Sequence, residues 1–472
     1  MTEITVSNKI VLKTDDKRLV NEIVKDLTFV NPEYATKVRM GINLYGTKKT
    51  FDICNIDETS SNFVVTIPYG YLYTLKQKYE FEHFEANFNN NGFREYKSKI
   101  QLRDYQEVVL KDVIKRDSGV ILMPAGSGKT ITALELTARL NKTCLWITHT
   151  QDLLTQSYDR AKSNFDLSKD AFGKITAGKI NLGTHITFAT VQTLSKINLD
   201  EIKSCFDIVV VDECHRVVPN TSKVVEKIGM FQKVIESIPA KYKYGLTATP
   251  HRSDGLFECV YKIIGEKIAE VSKEEVKDNI VPVKIRLINT AYTIFGKKEL
   301  LDSAGVPIHS RIVNDVAKDN ERNTVIVKVL LRNQENFNLI LSERLNHLDL
   351  LSEMLKSEVD SDKIRVIDGK TKAKDREESL RLMREQKINY LFATYKLAKE
   401  GLDIPCLNRL FLAQSVKDYS IVEQSIGRVA RSFEGKKLGG VYDFVDGNVG
   451  IFKRHGKERK KIYEKEGYQV VI

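Results

Sequence analysis

Short, continuous apolar runs separated by amphipathic stretches organise most of this chain. Val120-Ile121-Leu122-Met123, Leu145-Trp146-Ile147, Ile186-Thr187-Phe188-Ala189, Ile208-Val209-Val210-Val211 and Tyr244-Gly245-Leu246 are apolar without alternation. Such runs predict strands buried on both faces, hence a parallel sheet covered by helices. Helical periodicity over 130–140 supplies one of those helices. The arrangement recurs with Leu339-Ile340-Leu341, Ile364-Arg365-Val366-Ile367, Tyr390-Leu391-Phe392-Ala393, Leu410-Phe411-Leu412 and Val441-Tyr442-Asp443-Phe444. Helices are predicted over 348–355 and 376–383. Two successive α/β domains follow, roughly 96–275 and 276–451.

The block before them, 1–95, reads as a small α+β domain. Leu19, Ile23 and Leu27 recur at helical spacing. Ile42-Asn43-Leu44-Tyr45 and Thr50-Phe51-Asp52-Ile53 flank Gly46-Thr47-Lys48-Lys49, which predicts a hairpin with a basic turn. Phe63-Val64-Val65-Thr66-Ile67-Pro68 predicts a strand ended by proline, and Asn87-Phe88-Asn89-Asn90-Asn91-Gly92 a linker. The last segment, 452–472, is basic and has two readings, a terminal helix or a frayed tail.

Composition narrows the class. A hydrophobic fraction of 42% suits a globular protein, and no apolar stretch is long enough to span a bilayer, so no membrane partner is expected. The first residues lack a basic region leading into an apolar core, so no signal peptide is expected. Six scattered cysteines without a Cys-x-x-Cys pair predict free thiols in a reducing, cytoplasmic setting. The formal net charge of +11 favours a polyanionic partner without identifying it.

Pro124-Ala125-Gly126-Ser127-Gly128-Lys129-Thr130 follows a predicted strand and opens a predicted helix. Glycines there let backbone N–H groups turn onto phosphate oxygens, at a helix N-terminus that already favours negative charge. Ala125, Gly126, Ser127 and Gly128 form the cradle, Lys129 reaches the β- and γ-phosphates of ATP, and the Thr130 hydroxyl holds Mg²⁺. Met123 stands where the strict pattern has glycine.

Val209-Val210-Val211-Asp212-Glu213-Cys214-His215 places two carboxylates at the end of an apolar strand. Mg²⁺ prefers hard oxygen ligands, so Asp212 is the candidate metal ligand and Glu213 the group that orients or deprotonates the attacking water. For His215 two readings stand, a residue coupling the site to its surroundings or a satisfied polar group. Gln424-Ser425-Ile426-Gly427-Arg428-Val429-Ala430-Arg431 lies on a predicted helix. Arg428 and Arg431 are three apart and are expected to share a face, where their planar donor forks suit a transferring phosphate. Gln424 is grouped with them as a catalytic candidate.

The ordered motif set resembles superfamily 2 helicases over nearly all of 100–446. The resemblance implies two tandem RecA-like lobes that hydrolyse ATP between them. Leu102-Arg103-Asp104-Tyr105-Gln106 looks like the adenine-recognition segment, implying Arg103 and Gln106 at the base. Ile147-Thr148-His149-Thr150-Gln151-Asp152-Leu153 is similar to motif Ia, although His149 stands where many relatives have proline. Phe188-Ala189-Thr190-Val191-Gln192-Thr193-Leu194 matches the motif after it, so Thr150 and Thr190 are implied strand contacts. Gly245-Leu246-Thr247-Ala248-Thr249-Pro250 resembles motif III, implying that Thr247 and Thr249 couple hydrolysis to strand handling. Thr394 and Glu400-Gly401-Leu402-Asp403-Ile404-Pro405 look like motif V, which places Thr394 on a strand phosphate and Gly401 and Asp403 at the nucleotide.

The run Thr249-Pro250-His251-Arg252-Ser253-Asp254-Gly255-Leu256 is similar to UvsW-type phage enzymes and their XPB-like and type III restriction relatives. That likeness implies an ATP-dependent DNA helicase remodelling forks, four-way junctions, D-loops or R-loops. It gives block 1–95 and the basic end a duplex-holding role, although no motif marks block 1–95. Lys48 and Lys49 read equally as a backbone contact or a solvated turn, and Phe84, Phe88 and Phe93 as stacking or core residues. An RNA helicase and an ATP-gated DNA clamp are the alternatives. A restriction subunit fused to a nuclease is disfavoured by the short stretch after residue 446.

Overall fold

The computed structural model describes residues 2–471 except 60–61, 219–228, 249, 251, 253, 278–279, 400–401, 403 and 417–418, and without the side chains of 373, 399 and 420. The expected roles of Thr249, Gly401 and Asp403 fall outside the described residues. Two compact units emerge, Met1–Pro124 with Gly128–Glu275, and Val276–Ile472 with Ala125–Ser127. No helix among the described residues is long and apolar enough to cross a membrane.

The continuous apolar runs become the centre of an eight-stranded sheet in the first unit. Its order is Lys179–Asn181, Phe172–Thr176, Ile186–Thr190, Cys144–Thr148, Ile208–Asp212, Tyr242–Thr247, Ser118–Leu122, Lys267–Glu270. Every residue of Cys144–Thr148, Ile186–Thr190 and Ile208–Asp212 is buried, as strands covered on both faces must be. All neighbours pair in parallel except Lys179–Asn181, which is antiparallel. In register, Asp212 pairs with Leu246 and Thr247 with Leu122. The carboxyl ends of three adjacent strands therefore emerge together, the place where open parallel sheets bind ligands.

Residues before 95 build a five-stranded sheet, ordered Asn55–Glu58, Phe63–Pro68, Lys9–Thr14, Glu3–Val6, His83–Ala86. Helix Lys17–Asp26, capped by the Asp16 carboxylate, buries Leu19 and Ile23 as the spacing predicts. The expected hairpin does not form. Asn31 caps, and Pro32 opens, a helix over Pro32–Met40 that ends at Gly41 with φ +64°. These start and stop signals override the turn-like composition downstream, and Thr50–Asp52 pairs instead with Thr28–Val30.

This sheet shares one hydrophobic core with the eight-stranded sheet, running from Ile4 and Tyr71 through to Val120 and Ile264. The backbones touch where Gly70 meets Gly265. A Cβ at Gly70 would lie 2.5 Å from the Gly265 nitrogen, so no larger residue fits. Polar contacts finish the seam: Tyr69 Oη donates to the Lys241 carbonyl at 2.7 Å, and Lys9 pairs with Glu236 at 2.9 Å. Lys243 Nζ, buried in the seam, donates to the Asn8 carbonyl at 3.2 Å.

The second unit carries a seven-stranded, wholly parallel sheet, ordered Ile364–Ile367, Tyr390–Thr394, Asn338–Ser342, Arg409–Leu412, Gly439–Val445, Val283–Asn289, Gln469–Val471. The basic end is a helix, Gly450–Lys465, followed by the edge strand Gln469–Val471. Arg459 leaves solvent altogether, with its guanidinium forked onto Asp443 at 2.7 and 2.9 Å.

A buried polar network ties helix Asn320–Leu331 to the sheet. Arg322 Nε donates to Asp446 at 2.6 Å with both side chains fully buried. Beside it, His347 lies 3.0 Å from Ser342 Oγ and 3.0 Å from Asn323 Oδ1. Burial, then the Arg322 charge, holds the imidazole down to about 3. The folded protein thus keeps His347 neutral while the unfolded chain protonates near its ordinary value. The stabilisation is present above about pH 6.5 and is lost as pH falls toward 3. In His347→Gln, the drop in unfolding free energy between pH 7 and pH 5, read from denaturant titrations, should shrink by about 2 kcal/mol. An unchanged drop would place the titration elsewhere.

Candidate nucleotide site

The expected phosphate loop leads into helix Lys129–Leu140 of the first unit. Gly128 precedes helix Lys129–Leu140 with φ +83°, and Gly126 has φ +84°. A side chain at Gly128 would also collide with Gln106, whose Nε2 would lie 2.5 Å from the added Cβ. Glycine is required there on both counts. Gln106 is fully sequestered and fixed by its own helix start, where the Arg103 N–H donates to Gln106 Oε1 at 3.0 Å. Arg103 extends to the Tyr105 hydroxyl at 3.0 Å. Gln106 thus stands directly against the phosphate loop.

Met123, the departure from the strict pattern, is buried and prolongs its strand by donating to the Thr247 carbonyl at 3.0 Å. The loop therefore starts one residue later, and the side chain serves the core. Lys129 Nζ folds back over the loop, 3.3 Å from the Met123 carbonyl and 3.4 Å from that of Pro124. These long bonds suit a cation that exchanges carbonyls for phosphate oxygens.

Asp212 ends its strand, and Glu213 leaves it with unusual backbone geometry. Glu213 has φ +56°, the left-handed region that costs a non-glycine residue about 1–3 kcal/mol. Burial, then repulsion from Glu213, raises Asp212 above the usual carboxylate range, opposed by Lys129, the Glu213 N–H and Arg160. Burial also pushes Glu213 up, but His215, Lys129 and Arg216 outweigh it and hold the carboxylate ionised. Glu213 Oε2 is buried 3.2 Å from His215 Nδ1, outside hydrogen-bonding geometry, and has no hydrogen-bond partner among the described residues. His215 Nδ1 lies 3.0 Å from Thr247 Oγ1. The acidic motif and motif III are thus joined through one imidazole.

Two residues gain a place at this site that the sequence does not assign them, Arg160 and, within the run after motif III, Arg252. Arg160, on helix Gln151–Asn164, donates to Thr130 Oγ1 at 3.3 Å. Arg252 forks onto Asp254, with one bond at 2.9 Å, and donates to the His215 carbonyl. It braces the acidic turn against the run that follows motif III. Neither contact has a signal in a single sequence, because both join segments far apart in the chain.

The expected strand contacts occupy helix starts. Thr150 caps helix Gln151–Asn164, accepting from Leu153 N at 3.4 Å. Thr190 caps Val191–Leu194 and lies 2.9 Å from Thr193 Oγ1. His149, in the place of a proline, packs its ring on Phe231 with centroids 6.3 Å apart. In the second unit, Thr394 ends its strand and accepts from Leu397 N at 3.4 Å.

The shared face expected for Arg428 and Arg431 is not formed. Helix Tyr419–Val429 ends before Arg431, whose backbone pairs with Ile280 in an antiparallel bridge. The Ala430 carbonyl accepts from Val281 at 2.8 Å, drawing the chain out of the helix. Arg428 is buried and donates to the carbonyls of Leu402 and Ala398, so it braces the motif V segment. Gln424 Oε1 is buried without a hydrogen-bond partner among the described residues.

Comparison with known proteins agrees with this organisation. Residues 99–252 match the family model described as type III restriction enzyme, res subunit. Residues 321–433 match the helicase conserved C-terminal domain. A protein of Acanthamoeba polyphaga mimivirus, provisionally named an ATP-dependent RNA helicase, is 27% identical over 78% of this chain and 69% of its own length. The DNA 3'-5' translocase XPB2 of Sulfurisphaera tokodaii is 26% identical over 78% of this chain and 86% of its own. Among solved structures, S. cerevisiae Dbp5 bound to RNA and ADP BeF3 shares the fold, with a TM-score of 0.56 at 18% identity over 79% of this chain and 89% of that one. The two helicase domains imply ATP binding. With those domains in tandem on parallel sheets, and the phosphate loop and acidic motif at adjoining strand ends, the chain belongs to helicase superfamily 2 and is a nucleic-acid-dependent ATPase.

Proposed function

We propose that the chain is an ATP-driven DNA helicase or translocase that remodels branched intermediates. The carrying observation is the cluster of Lys129, Asp212, Glu213, His215 and Thr247 at the carboxyl ends of adjacent parallel strands. It unites a phosphate cation, an ionised base and a link to motif III in one unit. Asp212 and the Thr130 hydroxyl are an oxygen donor set that fits Mg²⁺, and burial of two neighbouring carboxylates calls for a cation there. A bound Mg²⁺ would neutralise phosphate charge. Around it, Lys129 orients the phosphates, Glu213 takes the proton of the attacking water, and Gln106 and Arg103 hold the base. Arg431 and Gln424 are the second unit's contribution to hydrolysis, Arg428 shapes motif V, and Thr150, Thr190 and Thr394 meet strand phosphates.

DNA rather than RNA is favoured by the UvsW-like run after motif III and by the similarity to the Sulfurisphaera tokodaii DNA translocase. The mimivirus relative keeps the RNA alternative in view. Phosphate release measured with single strands, duplex, forked DNA, four-way junctions and RNA decides. Strongest stimulation by forks and junctions is expected. RNA as the best activator would overturn the DNA reading, and nucleotide-dependent binding without turnover would leave a clamp.

A further inference from the structure

Resting on that nucleic-acid reading, we infer that the projection formed by residues 30–49 engages exposed bases and phosphates at a branch point. Its stem is the strand pair Thr28–Val30 and Thr50–Asp52, with Phe29 and Phe51 stacked at 5.9 Å. Above the stem, helix Pro32–Met40 buries none of its residues. A soluble helix normally hides an apolar stripe, yet Val38 is 54% exposed and Met40 66%. The loop continues this exposure with Ile42 at 50%, Leu44, and Tyr45 at 92%.

This apolar tip is built. Asn31 joins both ends of the projection, its side chain accepting from Glu33 N at 2.9 Å and donating to the Lys48 carbonyl at 3.1 Å. Its backbone N–H donates to the Lys49 carbonyl at 2.9 Å. Lys37 Nζ reaches Thr47 Oγ1 at 2.6 Å, and Ile42 N donates to the Lys37 carbonyl at 2.9 Å. Ordered display of apolar side chains marks an interaction surface.

Charge identifies the occupant. Arg39, Lys48 and Lys49 are exposed beside the tip, and the one carboxylate of residues 30–49, Glu33, pairs with Lys37 at 2.9 Å. Cations flanking an aromatic and aliphatic tip fit a partner that offers phosphates and flat apolar faces at once. Nucleic acid offers both only where base pairing ends, because bases inside a duplex are already stacked. Stacking on Tyr45 is indifferent to sequence, as a junction-processing enzyme requires.

The test uses the full chain and fluorescence anisotropy with a forked DNA, a blunt duplex and a single strand over a range of salt. Tyr45→Ser with Met40→Ser should weaken fork binding about 10-fold or more, leave blunt-duplex binding unchanged, and preserve the salt dependence. Arg39→Gln with Lys48→Gln and Lys49→Gln should weaken all three DNAs and lower the slope of log affinity against log salt by about 2–3. Fork affinity and slope unchanged in both variants, with wild-type binding intact, would overturn this inference alone. Failure of the wild type to bind any nucleic acid would remove it together with the DNA reading. Self-association through the tip, seen as a dimer in light scattering that Tyr45→Ser dissolves without loss of DNA affinity, would also overturn it.

Discussion

Lys129→Ala should cut nucleic-acid-stimulated phosphate release by at least about 10²–10³-fold, the cost of deleting one preorganised charge from a phosphoryl-transfer site. Lys129 is the first residue of helix Lys129–Leu140, and its Nζ arcs back onto the loop carbonyls. Truncation therefore removes the cation without disturbing the core beneath. It has a second consequence, because Lys129 lowers the proton affinity of both Asp212 and Glu213. Without it, the carboxylate pair holds a proton more readily, and binding of a magnesium nucleotide should become steeper with pH. Thermal unfolding should move by no more than a few degrees. Turnover within about twofold of wild type would mean that the phosphate loop lies elsewhere.

That site was readable in the sequence because its signals are local. A buried strand, a glycine turn and an opening helix occupy consecutive residues, and Asp212-Glu213 sits at the end of an apolar run. The same logic exposed the central strands of both large sheets, since burial on both faces leaves nothing polar in the run. Two strands at or near an edge of the second sheet carry no such run, although the opposite edge strand, Ile364–Ile367, does. Val283–Asn289 interleaves lysine and arginine with its apolar residues, and Gln469–Val471 is three residues long. The hairpin expected at 42–53 failed for a different reason. Its turn composition was real, but Asn31-Pro32 and Gly41 were stronger signals for a helix, and the partner of Thr50–Asp52 lay upstream. Arg160 and Arg252 act through contacts across 30 and 37 residues, a separation that no periodicity encodes. The Arg428 and Arg431 spacing satisfied a helical rule, yet the pull of Val281 on Ala430 ended the helix between them.

Glu213→Gln should keep nucleotide binding and lower turnover by about 10²–10⁴-fold, the usual contribution of a positioned general base. Three features favour Glu213 over Asp212 as the proposed base. Its carboxylate is held ionised against burial by His215, Lys129 and Arg216, so it can accept a proton at neutral pH. One oxygen, Oε2, is buried and faces only the His215 imidazole at 3.2 Å, without a hydrogen bond among the described residues, which leaves it able to accept from an incoming water. The left-handed backbone at Glu213 separates its direction from that of Asp212, which accepts from the Glu213 N–H at 3.0 Å. Glutamine keeps the shape and loses the proton acceptor, so affinity for a non-hydrolysable nucleotide should stay within about threefold of wild type while phosphate release collapses. His215→Ala offers the contrast. It frees Thr247 Oγ1 and removes one of the three groups that hold Glu213 ionised, so the residual turnover should recover as pH is raised. A Glu213→Gln enzyme that hydrolyses ATP at the wild-type rate would transfer the role of base to another group and leave the strained turn without a catalytic reason.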